Sequence, residues 1–182
     1  MVKCRNKPTE NFAHGVISMI RIMSLGQVAF GDIGGITMNK KQSYSFFGFQ
    51  VEVDGAATRD WYAQSEGWAC DCGHCRNFLT LARRREFPAL VLESLDKLSI
   101  PPEKATYVGV LYPDRDGLCY QFSYRMAGNI LSGEVDTKEA GRCLHETYPY
   151  GAPGFPEPHF DLEFWLTLSW VLDEPMDGPT EG

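Results

Sequence analysis

The chain has 182 residues, of which 43% are hydrophobic, 13% aromatic and 23% charged, and its formal net charge is −7. This length suits one domain with its own core, and the composition excludes a disordered chain. No uncharged apolar run reaches the about 20 residues that a membrane-spanning helix needs, so no membrane association is expected. A pI near 5.1 disfavours nucleic-acid binding, because phosphates are bound by clustered Lys and Arg.

The first 37 residues differ from the rest of the chain. They hold four basic and two acidic residues and only two aromatic ones. The apolar stretch at residues 15–20 resembles part of a secretory signal, but Arg21 interrupts it and no clean cleavage site follows. We therefore expect residues 1–37 to be a poorly ordered N-terminal extension. A start codon assigned too far upstream would explain it, and Met38 would then make a natural beginning.

The next part of the chain predicts a strand and then helices. Residues 43–53 form an aromatic and β-branched run that predicts one strand, which enters a turn at Asp54 and Gly55. Residues 58–66 predict one or two helical turns. Residues 76–86 and 88–98 carry apolar side chains at helical spacing and predict two central helices, the second beginning at Pro88.

The second half of the chain predicts antiparallel strands. Residues 106–112 and 118–126 flank a turn-forming Pro-Asp-Arg-Asp-Gly segment and predict a β-hairpin. Residues 128–141 are polar and contain glycine, which indicates a loop. Residues 160–172 alternate strictly between apolar and other side chains, which predicts a long strand with one buried face.

These elements predict an α+β fold, with a mainly antiparallel sheet and a central pair of helices, as a single domain over residues 38–174. Residues 175–182 are expected to form an acidic, flexible tail. On the last strand, Asp161 and Glu163 lie two residues apart and share a face. Such a pair can bind a cation or face water, and we expect it to face water.

The cysteines carry the most specific chemistry in the sequence. Cys70, Cys72 and Cys75 lie within six residues, where neighbouring thiols cannot easily form disulfides without strain. With no clear signal peptide, reduced thiols and a cytoplasmic location are expected. Three thiolates at C-x-C-x-x-C spacing, in a tight turn before a helix, suit Zn²⁺. The spacing therefore predicts a structural zinc site.

A structural zinc ion needs a fourth ligand, and we assign His145, with Cys143 beside it as the alternative. Further candidates are His74, Cys119 and His159. A second interpretation needs no metal, because free cysteines are commonly buried and can pack a loop against a helix.

The segment Cys72-Gly-His-Cys75 resembles the C-G-H-C active site of protein disulfide isomerases. In that family the first thiol lies at a helix N-terminus, has a lowered pKa and attacks disulfides. The resemblance implies that Cys72 is the nucleophile and Cys75 the resolving thiol. This chain has Asp71 where those enzymes have Trp, and it carries a further thiol at Cys70.

Most of residues 43–174 resembles an uncharacterised family of small bacterial and phage proteins. The elements that carry the resemblance are C-D-C-x-x-C-x-N-F at residues 70–78, P-x-K-A at 102–105, and P-x-x-x-L-E-F at 158–164 followed by W-V-L-D-E at 170–174. The resemblance implies a single domain and brings no established activity.

The sequence contains no H-E-x-x-H or G-x-S-x-G element and no phosphate-binding loop, so an enzyme is not favoured. The leading hypothesis is a small, cytoplasmic, non-enzymatic module that binds a protein partner and holds a structural zinc ion. The alternative hypothesis is a thiol–disulfide oxidoreductase that uses Cys72 and Cys75.

Overall fold

The computed structural model describes residues 2–3, 41–67, 69–134, 140–145, 148 and 151–176. Within these residues, seven strands form one antiparallel sheet and three α-helices accompany it, which confirms the predicted α+β class. In chain order the elements are β1 (Val2–Lys3), β2 (Gln42–Phe46), β3 (Phe49–Val53), α1 (Gly55–Gln64), α2 (Gly73–Arg84), α3 (Ala89–Asp96), β4 (Tyr107–Asp114), β5 (Gly117–Ser132), β6 (Gly141–Leu144) and β7 (His159–Leu168).

The predictions for the two ends of the chain concern residues that are mostly outside the described part. Of the expected extension, only β1 is described, and it pairs with β4. Of the expected tail, only residues 175 and 176 are described. Among the described helices, none combines the length and the apolar character that crossing a membrane requires.

The predicted strand over residues 43–53 is in fact two strands, because β2 and β3 form a hairpin. The turn consists of Phe47 and Gly48, both at positive φ. Glycine adopts this conformation readily but phenylalanine does so rarely, so the aromatic run concealed the turn. The turn expected at Asp54 is instead a helix start, since its side chain caps α1 by accepting a hydrogen bond from the Ala57 N–H at 2.9 Å.

The predicted β4–β5 hairpin and the two central helices are confirmed. α2 begins at Gly73, three residues before the predicted start, and its Phe78 packs against Tyr120 and Phe122 of β5, with ring centroids 5.9 and 5.1 Å apart. Side chains alternate along a strand, so the even-numbered residues of this part of β5 face α2. The hydrophobic core lies between α2 and this face of the sheet.

β5 is the central strand of the sheet. It pairs with β4 and β7 through its first ten or so residues and with β3 near its end. The change of partner occurs at Gly128, which has φ +146°, and a Cβ atom there would lie 1.9 Å from the carbonyl oxygen of Glu52. Only glycine fits this close backbone approach. Because β5 continues through Gly128 to Ser132, the loop that the sequence predicts from residue 128 begins only after Ser132.

Candidate metal centre

The three clustered cysteines lie around the start of α2. Cys72 is the N-cap residue of the helix, with extended backbone angles, and Cys75 lies in the first turn, fully buried. Cys70 precedes the helix in an irregular segment and is half-buried. Gly73 directly follows the cap and is the first residue of the helix.

The sulfur atoms of these residues converge on one point. The Sγ atoms of Cys70, Cys72 and Cys75 all lie within 4.8 Å of one another, and those of Cys70 and Cys72 are 3.5 Å apart. Tetrahedral Zn²⁺ with Zn–S bonds of about 2.3 Å holds its sulfurs about 3.8 Å apart. A disulfide needs about 2.05 Å, and all three residues are free cysteines. The donor set therefore fits a thiolate-bound metal.

The local electrostatics favour negative charge at this point. The unsatisfied N–H groups of a helix N-terminus stabilise thiolates. Arg76 lies beside the group and donates a hydrogen bond from Nη1 to the carbonyl oxygen of Asp71 at 2.6 Å. The pKa of Arg76 is raised, chiefly by its hydrogen bond to Glu174 and also by the neighbouring negative charges of Asp71 and Cys72.

The structure brings together three of the four predicted ligands and leaves His145 outside the group. His145 follows β6, is exposed, and lines a separate cavity of about 400 Å³ with Phe49, Ile130 and Cys143. Burial raises the pKa of Cys143 to about 12, which keeps this thiol protonated and unreactive at neutral pH. Within the described part of the chain, the group of side chains close enough to share a metal ion consists of these three cysteines.

A second polar group, which the sequence did not reveal, lies on the sheet face that points away from α2. Asp161 and Glu163 are both 0% exposed there. Arg125 lies opposite Asp161 and donates from Nε to Oδ1 at 3.0 Å. Arg142 lies opposite Glu163 and donates to Oε1 at 2.8 Å. The expectation that both carboxylates face water is therefore wrong.

We call the sheet face that carries Asp161, Glu163, Arg125 and Arg142 the charged face, and Tyr148 contacts it. Its ring stacks on Tyr107, with centroids 3.8 Å apart, and its hydroxyl donates to Glu163 Oε2 at 2.8 Å. Its backbone N–H donates to Asp161 Oδ2 and its carbonyl oxygen accepts from Arg125 Nη2. Burial, together with the hydrogen bond to Glu163, raises the pKa of the Tyr148 phenol.

The polar side chains of the charged face satisfy one another, which is typical of a network that stabilises the fold. Two arginines neutralise two carboxylates, and each carboxylate oxygen accepts at least one hydrogen bond. The available sequence signal was the acidic pair at alternate positions of the last predicted strand, together with Arg125 in another predicted strand. Which strands pair cannot be read from that alternation. The network joins β5, β6, β7 and the segment at Tyr148.

Comparison of the chain with protein-family models, with curated proteins and with solved structures gave no match.

Proposed function

We propose that Cys70, Cys72 and Cys75 bind one structural Zn²⁺ and that the protein is a small, non-enzymatic, zinc-stabilised module that binds a protein partner. The observation that carries the zinc site is the convergence of three thiols within 4.8 Å at the start of α2. The ion would fix the irregular segment before α2 to the helix, as structural zinc does in small loops. The reduced thiols this requires favour the cytoplasm.

Zinc accounts for all three thiols, whereas disulfide exchange needs two. Cys70 Sγ lies 3.5 Å from Cys72 Sγ, so a third donor stands beside the C-x-x-C pair. A structural site also needs a fourth ligand, and it must come from outside this group of three.

Thiol–disulfide exchange is the second candidate function. It is supported by the placement of Cys72 at the N-cap and of Cys75, buried, in the first turn of α2. Helix N-termini lower thiol pKa values, and an accessible first thiol with a buried second one suits a nucleophile and a resolving group.

The experiment that separates the two functions is metal analysis of the purified protein and of matched variants. We expect about one zinc per chain and cluster thiols that react with a thiol reagent only after chelation. Cys70→Ser and Cys72→Ser should each lower the zinc content, whereas His145→Ala should keep it, because His145 lies outside the group.

The opposite result would support the redox function. If the protein binds no zinc, and if Cys72 and Cys75 interconvert between dithiol and disulfide at a defined potential in both the parent and Cys70→Ser, the structural zinc proposal is wrong. Inert thiols without metal would contradict both functions and leave only packing.

A further inference from the structure

The segment that follows β7 is tied to the first turns of α2. We call residues 169–174 the strap. The buried side chain of Asn77 holds it at two backbone positions: Nδ2 donates to the Ser169 carbonyl oxygen at 3.0 Å, and Oδ1 accepts from the Val171 N–H at 2.8 Å. A buried side-chain amide satisfied in this way fixes the position of the strap on the helix.

Two further contacts join the strap to the same stretch of helix. The guanidinium of Arg76 bridges the cysteine segment and the strap, since Nη1 donates to the Asp71 carbonyl oxygen and Nη2 forms an ion pair with Glu174. The ring of Trp170 meets that of His74 edge to face at 6.2 Å, and its Nε1 donates to the Glu174 carbonyl oxygen at 2.8 Å.

The strap contacts and the thiols therefore share one piece of helix. His74, Arg76 and Asn77 flank Cys75 along residues 74–77, and the Arg76 N–H donates to the carbonyl oxygen of the N-cap residue Cys72 at 2.9 Å. Forming this first turn positions both the metal ligands and the groups that hold the strap. Two events that order the same residues favour one another, because the second no longer has to overcome that ordering entropy.

We propose that zinc binding and strap docking are thermodynamically coupled. Zinc holds the first turn of α2 in place and keeps the strap docked; loss of zinc releases the strap and uncovers Trp170 and the helix surface around Asn77. Conversely, a weakened strap lowers the zinc affinity by the same factor. The inference rests on the proposed zinc site, and it makes the surface offered to a partner depend on the metal.

The first test measures amide hydrogen exchange of the full chain with and without zinc. Peptides covering residues 169–174 should exchange faster after chelation, whereas peptides from β7 should keep their protection. Unchanged exchange in the strap would overturn the coupling, and so would an equal rise in β7, because that would report global unfolding.

The second test measures the reciprocal effect on zinc affinity. Val171→Pro deletes the N–H that donates to Asn77 and leaves the helix and the thiols unaltered in sequence. We expect zinc affinity, measured by competition with a chromophoric chelator, to fall about fivefold or more. Asp173→Ala is the control in the same segment, because this exposed side chain makes none of the described contacts with α2 and the backbone of the strap is left unrestricted, so this variant should bind zinc like the parent.

The outcomes separate this inference from the proposed function. Zinc bound with equal affinity by Val171→Pro and the parent would overturn the coupling and leave the zinc site standing. A parent protein that binds no added Zn²⁺ would overturn the zinc site itself.

Discussion

The cysteine group and the charged face lie on opposite sides of one sheet and are built in opposite ways. Cys70, Cys72 and Cys75 are neighbours in sequence, and a turn before a helix brings their sulfurs together. In the charged face, Arg125 meets Asp161 across 36 residues, through the register of β5 and β7. A group built from neighbouring residues can be predicted from their spacing. A group assembled across strands depends on a strand pairing that no local sequence pattern reveals.

The largest expected effect comes from breaking the charged face. Asp161→Ala leaves the guanidinium of Arg125, whose side chain is only 5% exposed, without its carboxylate. An unpaired buried charge is costly, so the free energy of unfolding in urea should fall by about 3–5 kcal/mol.

Two controls sharpen this prediction. Asp173→Ala, in an exposed position, should change stability by less than about 0.5 kcal/mol. The loss caused by Asp161→Ala should be the same with and without chelator, because separate sites contribute additively. A loss that disappears after chelation would show that the two sides of the sheet are not independent.

An intermediate effect is expected from Tyr148→Phe. This change removes the hydroxyl that donates to Glu163 Oε2 and keeps the ring that stacks on Tyr107. Hydrogen bonds to charged groups contribute about 1.5–3 kcal/mol, and we expect a loss in this range in the same urea titration. Tyr112→Phe, at an exposed tyrosine, is the comparison, and equal losses in the two variants would contradict a special role for the charged face.

The smallest effect is expected from an ion pair at the surface. Lys41 and Glu52 form one at 2.9 Å, with side chains 43% and 35% exposed. Water and salt screen such pairs, so Lys41→Gln should cost about 0–1 kcal/mol, and less at high salt. A loss as large as that of Asp161→Ala would mean that burial does not set the strength of these pairs.

The elements with strong local patterns were predictable. Helical spacing located α2 and α3, and turn-forming residues located the β4–β5 hairpin. Phe47 concealed the β2–β3 turn, because an aromatic residue at positive φ carries no turn signature. The start of α2 at Gly73, earlier than predicted, is what makes Cys72 its N-cap.

The charged face was not predictable, because alternation indicates two faces of a strand but not what covers each of them. The alternation predicted that Asp161 and Glu163 lie on a face of β7 that meets water. In the structure, β5 places Arg125 opposite Asp161 and β6 places Arg142 opposite Glu163. His145 shows the same limit for the metal site. Its residue type suits zinc, but its position after β6 places it at another cavity.

The central position of β5 has a consequence for synthesis of the chain. β5 leaves the ribosome with its hairpin partner β4 already made, but β7, which pairs with the first part of β5 on the other side, is the last of the described strands to emerge. Until residue 161 has been translated, Arg125 has no carboxylate opposite it, and one edge of β5 stays without its strand. A nascent chain interrupted before that point exposes a charged, unpaired β-edge of the kind that chaperones and proteases encounter.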